Sequence, residues 1–212
     1  MKPQPVPAST ASTVDTASTV DTADASGTVA GPHRDDREAD ATHMRRAIAV
    51  ARDALAAGNM PYGAVLVVDG RAVFAAGNEQ RSTGDCTAHA ETVLVRRARE
   101  RLGAAITQGA TVYASGEPCA MCCGALFWAG VRRVVYAASQ AEMARVLGGD
   151  LLPVDARSVF AGSAPPVQVD GPLLEAESVA VLEQAARGAQ GDRSCGPSPS
   201  GSVDVPRVMR PT

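Results

Sequence analysis

Two short segments of this 212-residue chain hold the residue types that could do chemistry. They are Thr87-Ala88-His89-Ala90-Glu91 and Glu117-Pro118-Cys119-Ala120-Met121-Cys122. Together they read His-x-Glu, a gap of under thirty residues, then Pro-Cys-x-x-Cys. One His and two Cys supply the three protein ligands of a catalytic zinc, whose fourth position stays open for water. If a helix starts near Cys119, Cys119 and Cys122 face the same way. The unpaired N–H groups of a helix start also favour thiolate over thiol. His89 is expected to open a second helix, with Glu91 beside the metal and not bound to it. A carboxylate there can take a proton from an activated water and pass it to a substrate.

Other readings of the same residues are simpler. Cys-x-x-Cys alone also suits a structural zinc half-site or a redox pair, and His-x-Glu alone says little. A closed structural site needs a fourth ligand. His33 and His43 lie in or beside a low-complexity N-terminal region, whereas Cys86 stands three residues before His89. A closed four-ligand site with Cys86 therefore stays open as the alternative. The order of the two halves, each at a predicted helix start after a predicted strand, favours the catalytic reading.

Composition narrows the setting. The formal net charge of −3 provides no basic surface for phosphate backbones. Lysine occurs only at Lys2, so the folded part has no lysine nucleophile or Schiff base. Aromatic residues at 3% leave few stacking platforms for single-stranded nucleic acid. Cysteines at 119, 122 and 123 point to metal use in a reducing compartment, not to disulfides. Neither a signal peptide nor a membrane span is expected. The reading is cytoplasmic.

These residues must be positioned by alternating strands and helices. Residues 1–39 carry a direct repeat, Thr10-Ala11-Ser12-Thr13-Val14-Asp15 followed by Thr16-Ala17-Ser18-Thr19-Val20-Asp21, and are expected to be disordered. A single folded domain over 40–188 and a disordered tail over 189–212 follow. The first helix is predicted over about 42–57, with Met44, Ile48, Ala51 and Leu55 inward. A hairpin then turns at Asp69-Gly70. Helices are predicted over about 89–102, 119–130, 140–147 and 173–187, and strands over 111–115, 133–137 and 167–169. That order gives a three-layer α/β/α fold, its mixed sheet of about five strands covered by helices on both faces. Both metal-bearing helices are expected to start from neighbouring strands, where α/β ligand sites lie.

With these residues in hand, the chain resembles the cytidine deaminase superfamily over about residues 42–160, and within it the guanine deaminases and tRNA adenosine deaminases. Met60-Pro61-Tyr62-Gly63-Ala64-Val65 is similar to their Pro-Phe-Gly-Ala segment, and Phe127-Trp128-Ala129 to a guanine deaminase Tyr-Trp-Ala. The resemblance implies zinc on His89, Cys119 and Cys122, and Glu91 as proton shuttle. It further implies substrate contacts from Asn78, Ala90, Tyr62 and Trp128, a second acid at Asp150, and a homodimer. Two features depart from the family. Asp85-Cys86 stands where Asp-Pro is usual, and no aromatic residue follows Phe160 to serve as a C-terminal lid.

Three functions compete. The first is hydrolytic deamination of a free nucleobase or related small amino-heterocycle, guanine preferred, with water as co-substrate and ammonia released. The second is deamination of a nucleoside or of adenosine in tRNA. Its basic surface is missing from the last predicted helix, where Glu175, Glu177 and Glu183 face Arg187 alone, which makes nucleic acid the weaker partner. The third is a non-enzymatic zinc scaffold, which the presence of Glu91 disfavours.

Overall fold

Side chains that alternate between the two covered faces of the central strands decide the layers. The computed structural model describes residues 34–148 and 152–192. Strands β1 (Gly63–Val68), β2 (Arg71–Gly77), β3 (Thr111–Gly116), β4 (Arg133–Ala138) and β5 (Gln168–Asp170) form one sheet in the order β2-β1-β3-β4-β5. Strand β1 runs antiparallel to β2 and β3, whereas β3, β4 and β5 are parallel. The register aligns Leu66 with Val112 and Val134, and Val65 with Tyr113 and Val135.

The first row packs on helices α3 (Ala90–Leu102) and α4 (Ala120–Ala129) through Val93, Leu94 and Leu126. The second row packs on α1 (Arg34–Ala56) and α7 (Glu175–Asp192) through Met44, Ile48 and Val181. Period-two strands between amphipathic helices give the expected three-layer α/β/α architecture. Helix α1 lies so close on β1 that a Cβ at Gly63 would sit 2.5 Å from the Ala47 carbonyl oxygen. The hairpin turn has positive φ at both Asp69 and Gly70, the geometry of a two-residue primed turn.

Arg133 ties the layers together at the start of β4. Its guanidinium donates to both oxygens of Asp40 on α1, at 2.8 and 2.7 Å, and its Nε donates to Asp170 on β5 at 2.7 Å. Tyr113 also donates its hydroxyl to Asp40.

Several expectations need correction. Helix α1 begins at Arg34, so residues 34–39 are helical and not part of a disordered tail. Their charged sequence has no apolar stripe to reveal it. Helix α7 reaches Asp192, beyond the expected end near Arg187. Two short helices, α2 (Gln80–Thr83) and α6 (Ala156–Phe160), lie in segments for which no element is predicted. Helix α5 (Gln140–Leu147) matches its prediction. The strands that lead to the metal-bearing helices, β2 and β3, flank β1 and are not neighbours. The repeat over residues 10–21 and most of the C-terminal tail lie outside the described residues. No helix among the described residues is long and apolar enough to cross a membrane.

Candidate active site

The site forms where two helix starts converge. His89 is the N-cap of α3 and Cys119 the N-cap of α4, both with extended backbone. Neither side chain caps its own helix, so both are free to face the space between the helices. Cys122 lies within the first turn of α4, which turns it to the same side as Cys119. The result is a compact triangle of donor atoms. The two sulfurs are 3.6 Å apart, and His89 Nδ1 lies 3.7 Å from Cys119 Sγ and 3.5 Å from Cys122 Sγ.

That triangle fits zinc. Tetrahedral zinc, with Zn–S of about 2.3 Å and Zn–N of about 2.0–2.1 Å, requires sulfurs about 3.8 Å apart and S···N separations of about 3.5 Å. Among the described residues, His89, Cys119 and Cys122 are the group of side chains whose ligand atoms could hold a metal. Cys86 is exposed and does not belong to it. The three ligands thus leave the fourth position that a catalytic zinc uses.

Charge at the triangle is set by hydrogen bonding and burial. The Cys119 thiol is lowered to about 4, first by its hydrogen bond with Cys122 and then by the one with His89. Cys122 moves the opposite way, pushed up chiefly as the partner in that bond and then by burial. Its thiol also donates to Glu91 Oε2 at 3.4 Å. Binding a metal must therefore expel a proton from Cys122. His89 is raised by its bond to Cys119. Burial pushes the carboxyl of Glu91 above the usual carboxylate range, with the Cys119 charge adding to it. Burial likewise pushes Tyr62 up to about 12, so its phenol stays neutral. Cys123, buried with its thiol donating to the Pro118 carbonyl at 3.4 Å, is structural.

The triangle opens on a cavity of about 200 Å³. His89, Glu91, Cys119 and Tyr62, each named from the sequence, line it. The remaining lining comes from Gly116 and Glu117 at the end of β3, from Gln140, Met143 and Ala144 on α5, and from Gly148 and Leu152.

Other expected residues are not among those that line the cavity. Trp128 is 83% exposed on α4, its ring against Phe127, and does not line the cavity. Asn78 is only 1% exposed, but its side chain accepts from the Gln80 N–H and donates to Gln80 Oε1, and it is not a lining residue. That is a local turn, the ordinary use of Asn after a strand. Ala90 is buried at the first position of α3, beside the site but outside the lining. Asp150 lies outside the described residues. The α5 wall and Glu117 were missed; an acid between an apolar strand and Pro-Cys was the single available signal.

The chain is similar to known proteins. Residues 37–138 match the cytidine and deoxycytidylate deaminase zinc-binding region. A probable cytosine deaminase of Schizosaccharomyces pombe is 32% identical over 67% of this chain and 89% of its own length. The guanine deaminase of Bacillus subtilis is 39% identical over 49% of this chain and 67% of its own. A solved structure from work on A-to-I editing by tRNA:A34 deaminases is 35% identical, with a TM-score of 0.55 over 66% of this chain and 99% of that one. Cysteine and histidine donors at zinc spacing, a buried carboxylate beside them and this likeness lead to one conclusion: the chain belongs to the cytidine deaminase superfamily and is a zinc-dependent hydrolytic deaminase.

Proposed function

We propose that the substrate is a free nucleobase or closely related amino-heterocycle, with guanine preferred. The observation that carries this reading is the cavity lining. Tyr62, Met143, Ala144 and Leu152 offer apolar surface to a flat ring, and no Arg or Lys is among the described lining residues. A nucleotide or a tRNA anticodon would bring phosphates that call for cationic partners. The preference for guanine over other bases rests on the likeness to the Bacillus guanine deaminase. The resemblance alone supports Asp150 as a second acid near the departing amino group, and a homodimer. A cytoplasmic location is inferred from the cysteine usage.

The chemistry follows from the residues in hand. Zinc held by His89, Cys119 and Cys122 supplies the Lewis acidity that makes water nucleophilic at neutral pH. Glu91 takes a proton from the attacking water as its oxygen bonds to the ring carbon bearing the amino group. Glu91 then gives that proton to the adjacent ring nitrogen, takes a second one from the hydroxyl now on the carbon as it becomes the carbonyl, and passes it to the amino nitrogen. The carbon–nitrogen bond breaks, and ammonia leaves. A carboxyl raised by burial holds a proton more readily than a free one, which suits it to accept a proton and return it. Tyr62, a neutral phenol beside Glu91, shields that exchange from bulk water.

The competing substrate is adenosine in tRNA, favoured by the 99% coverage of the tRNA deaminase structure. Ammonia release from guanine, adenine, cytosine, their nucleosides and tRNA separates the two. Guanine should give the highest kcat/KM. Deamination of tRNA adenosine with every free base inert would replace this reading by the second.

A further inference from the structure

Glu117 stands two residues before Cys119, and nothing in the chemistry above uses it. It is 7% exposed, yet it is no idle acid. Its Oε2 accepts the backbone N–H of Gln140 at 3.0 Å, and its Oε1 accepts that of Ala156 at 2.9 Å. Gln140 is the first residue of α5 and Ala156 the first of α6. Each oxygen of one buried carboxylate therefore holds a helix start that its own helix leaves unpaired. The clamp is itself anchored, because the Glu117 N–H donates to the Ala138 carbonyl at the end of β4, at 2.7 Å. A second tie runs from Gln140 Nε2 to the Val154 carbonyl at 3.0 Å.

The segment so held carries one wall of the cavity: Met143 and Ala144 on α5, then Gly148 and Leu152. The zinc ligands and Glu91 sit instead on the starts of α3 and α4. We propose that Glu117 is a positioning residue that clamps α5 and α6 so that the α5 wall meets the substrate ring, setting affinity for substrate independently of the metal chemistry. The proposal rests on the reading of this cavity as the substrate site. A plain capping role would give stability without bearing on substrate affinity, so the test must separate the two.

The test uses zinc-loaded protein and Glu117→Gln, which puts an NH2 group against one of the two backbone N–H donors. Amide exchange at Gln140 or Ala156 should speed up at least about tenfold, while Ile48 and Leu66 in the core keep their protection. KM for guanine should rise at least about tenfold with kcat reduced less than about threefold and zinc unchanged. Asp40→Asn, a destabilising change on α1, should leave KM for guanine unaltered. Unchanged exchange at both amides would overturn the proposal. So would loss of zinc or of kcat at constant KM.

Should Glu117→Gln fail to fold, Gln140→Pro removes one clamped N–H at a first helical position, where proline is tolerated. Ser139 before it already has ψ of 157°, which a following proline accepts. Its KM should exceed that of Gln140→Ala, which keeps the N–H, by at least about threefold; equal values would overturn the proposal. If the wild-type enzyme does not turn over guanine, the substrate reading fails on its own, and the exchange measurement still decides whether Glu117 holds the two helices.

Discussion

Gly116 lines the cavity with no room for a side chain, and a single methyl group there tests the geometry. A Cβ at Gly116 would lie 2.6 Å from Met143 Sδ and 3.2 Å from two atoms of the Tyr62 ring. Non-bonded heavy atoms rest about 3.5–4.0 Å apart, so the Met143 sulfur must retreat by about 1 Å. Methionine can do this more cheaply than the half-buried Tyr62 ring. The expected stability loss for Gly116→Ala is therefore modest, about 1–2 kcal/mol, at the low end for overpacking. The effect on catalysis should be larger, because Met143 and Tyr62 both line the cavity. A displacement of about 1 Å in a positioning wall can cost about 10²-fold, and kcat/KM for guanine should fall by that order. Zinc should be retained, since its ligands start α3 and α4. Steady-state kinetics, metal analysis and thermal denaturation on one preparation settle the matter. Replacing Met143 by Ala in the same chain should return part of the lost stability, a coupling expected of residues in contact. A folded, zinc-loaded Gly116→Ala protein with kcat/KM within threefold of wild type would refute the close approach of these three residues.

Removing a ligand should empty the metal site: Cys122→Ala is expected to hold less than about a tenth of a zinc per chain where wild type holds one, because two donors do not make a zinc site. Wild-type zinc affinity should also fall with pH, since the proton expelled from Cys122 competes with the metal; full zinc retention by the variant would take Cys122 out of the ligand set. Asp40→Asn should cost about 2 kcal/mol at pH 7, the value of charge-assisted bonds in a half-buried pair, and lower Tm by about 4–8 °C. Because the Arg133 hydrogen bonds hold the Asp40 carboxyl below its ordinary range, this stabilisation is complete above about pH 4 and disappears as pH falls through the depressed folded value. Scans from pH 7 to pH 2 should thus show the Tm gap close only in acid, and a gap constant throughout would contradict the ionic account.

The metal triad was legible because its logic is local. His-x-Glu and Pro-Cys-x-x-Cys each need only a helix start, and the helix geometry turns the donors inward. The sheet was legible too, since the alternating side chains of β1, β3 and β4 allow only two faces. What crosses between elements was not. Helix α4 is apolar nearly all round, so beyond the Cys-x-x-Cys pair nothing in its sequence shows that Leu126 turns inward while Trp128 turns to solvent. The same holds for the order of strands: a hairpin can place either of its strands beside β3, and here β1 takes that position. Asn78 makes a local turn with Gln80, two residues away, and its position after a strand does not by itself tell that use from a ligand contact. Glu117 escaped notice because both its partners are backbone N–H groups, which carry no residue signature.

The central claim is that one buried carboxylate moves every proton in a zinc-dependent deamination. Glu91→Gln preserves size and hydrogen bonding but cannot accept and return a proton. Ammonia release from guanine by the zinc-loaded variant should fall at least about 10³-fold, near the upper range for general acid–base catalysis, with zinc content and guanine affinity nearly unchanged. Turnover within a few-fold of wild type would contradict both the role of Glu91 and the mechanism built on it.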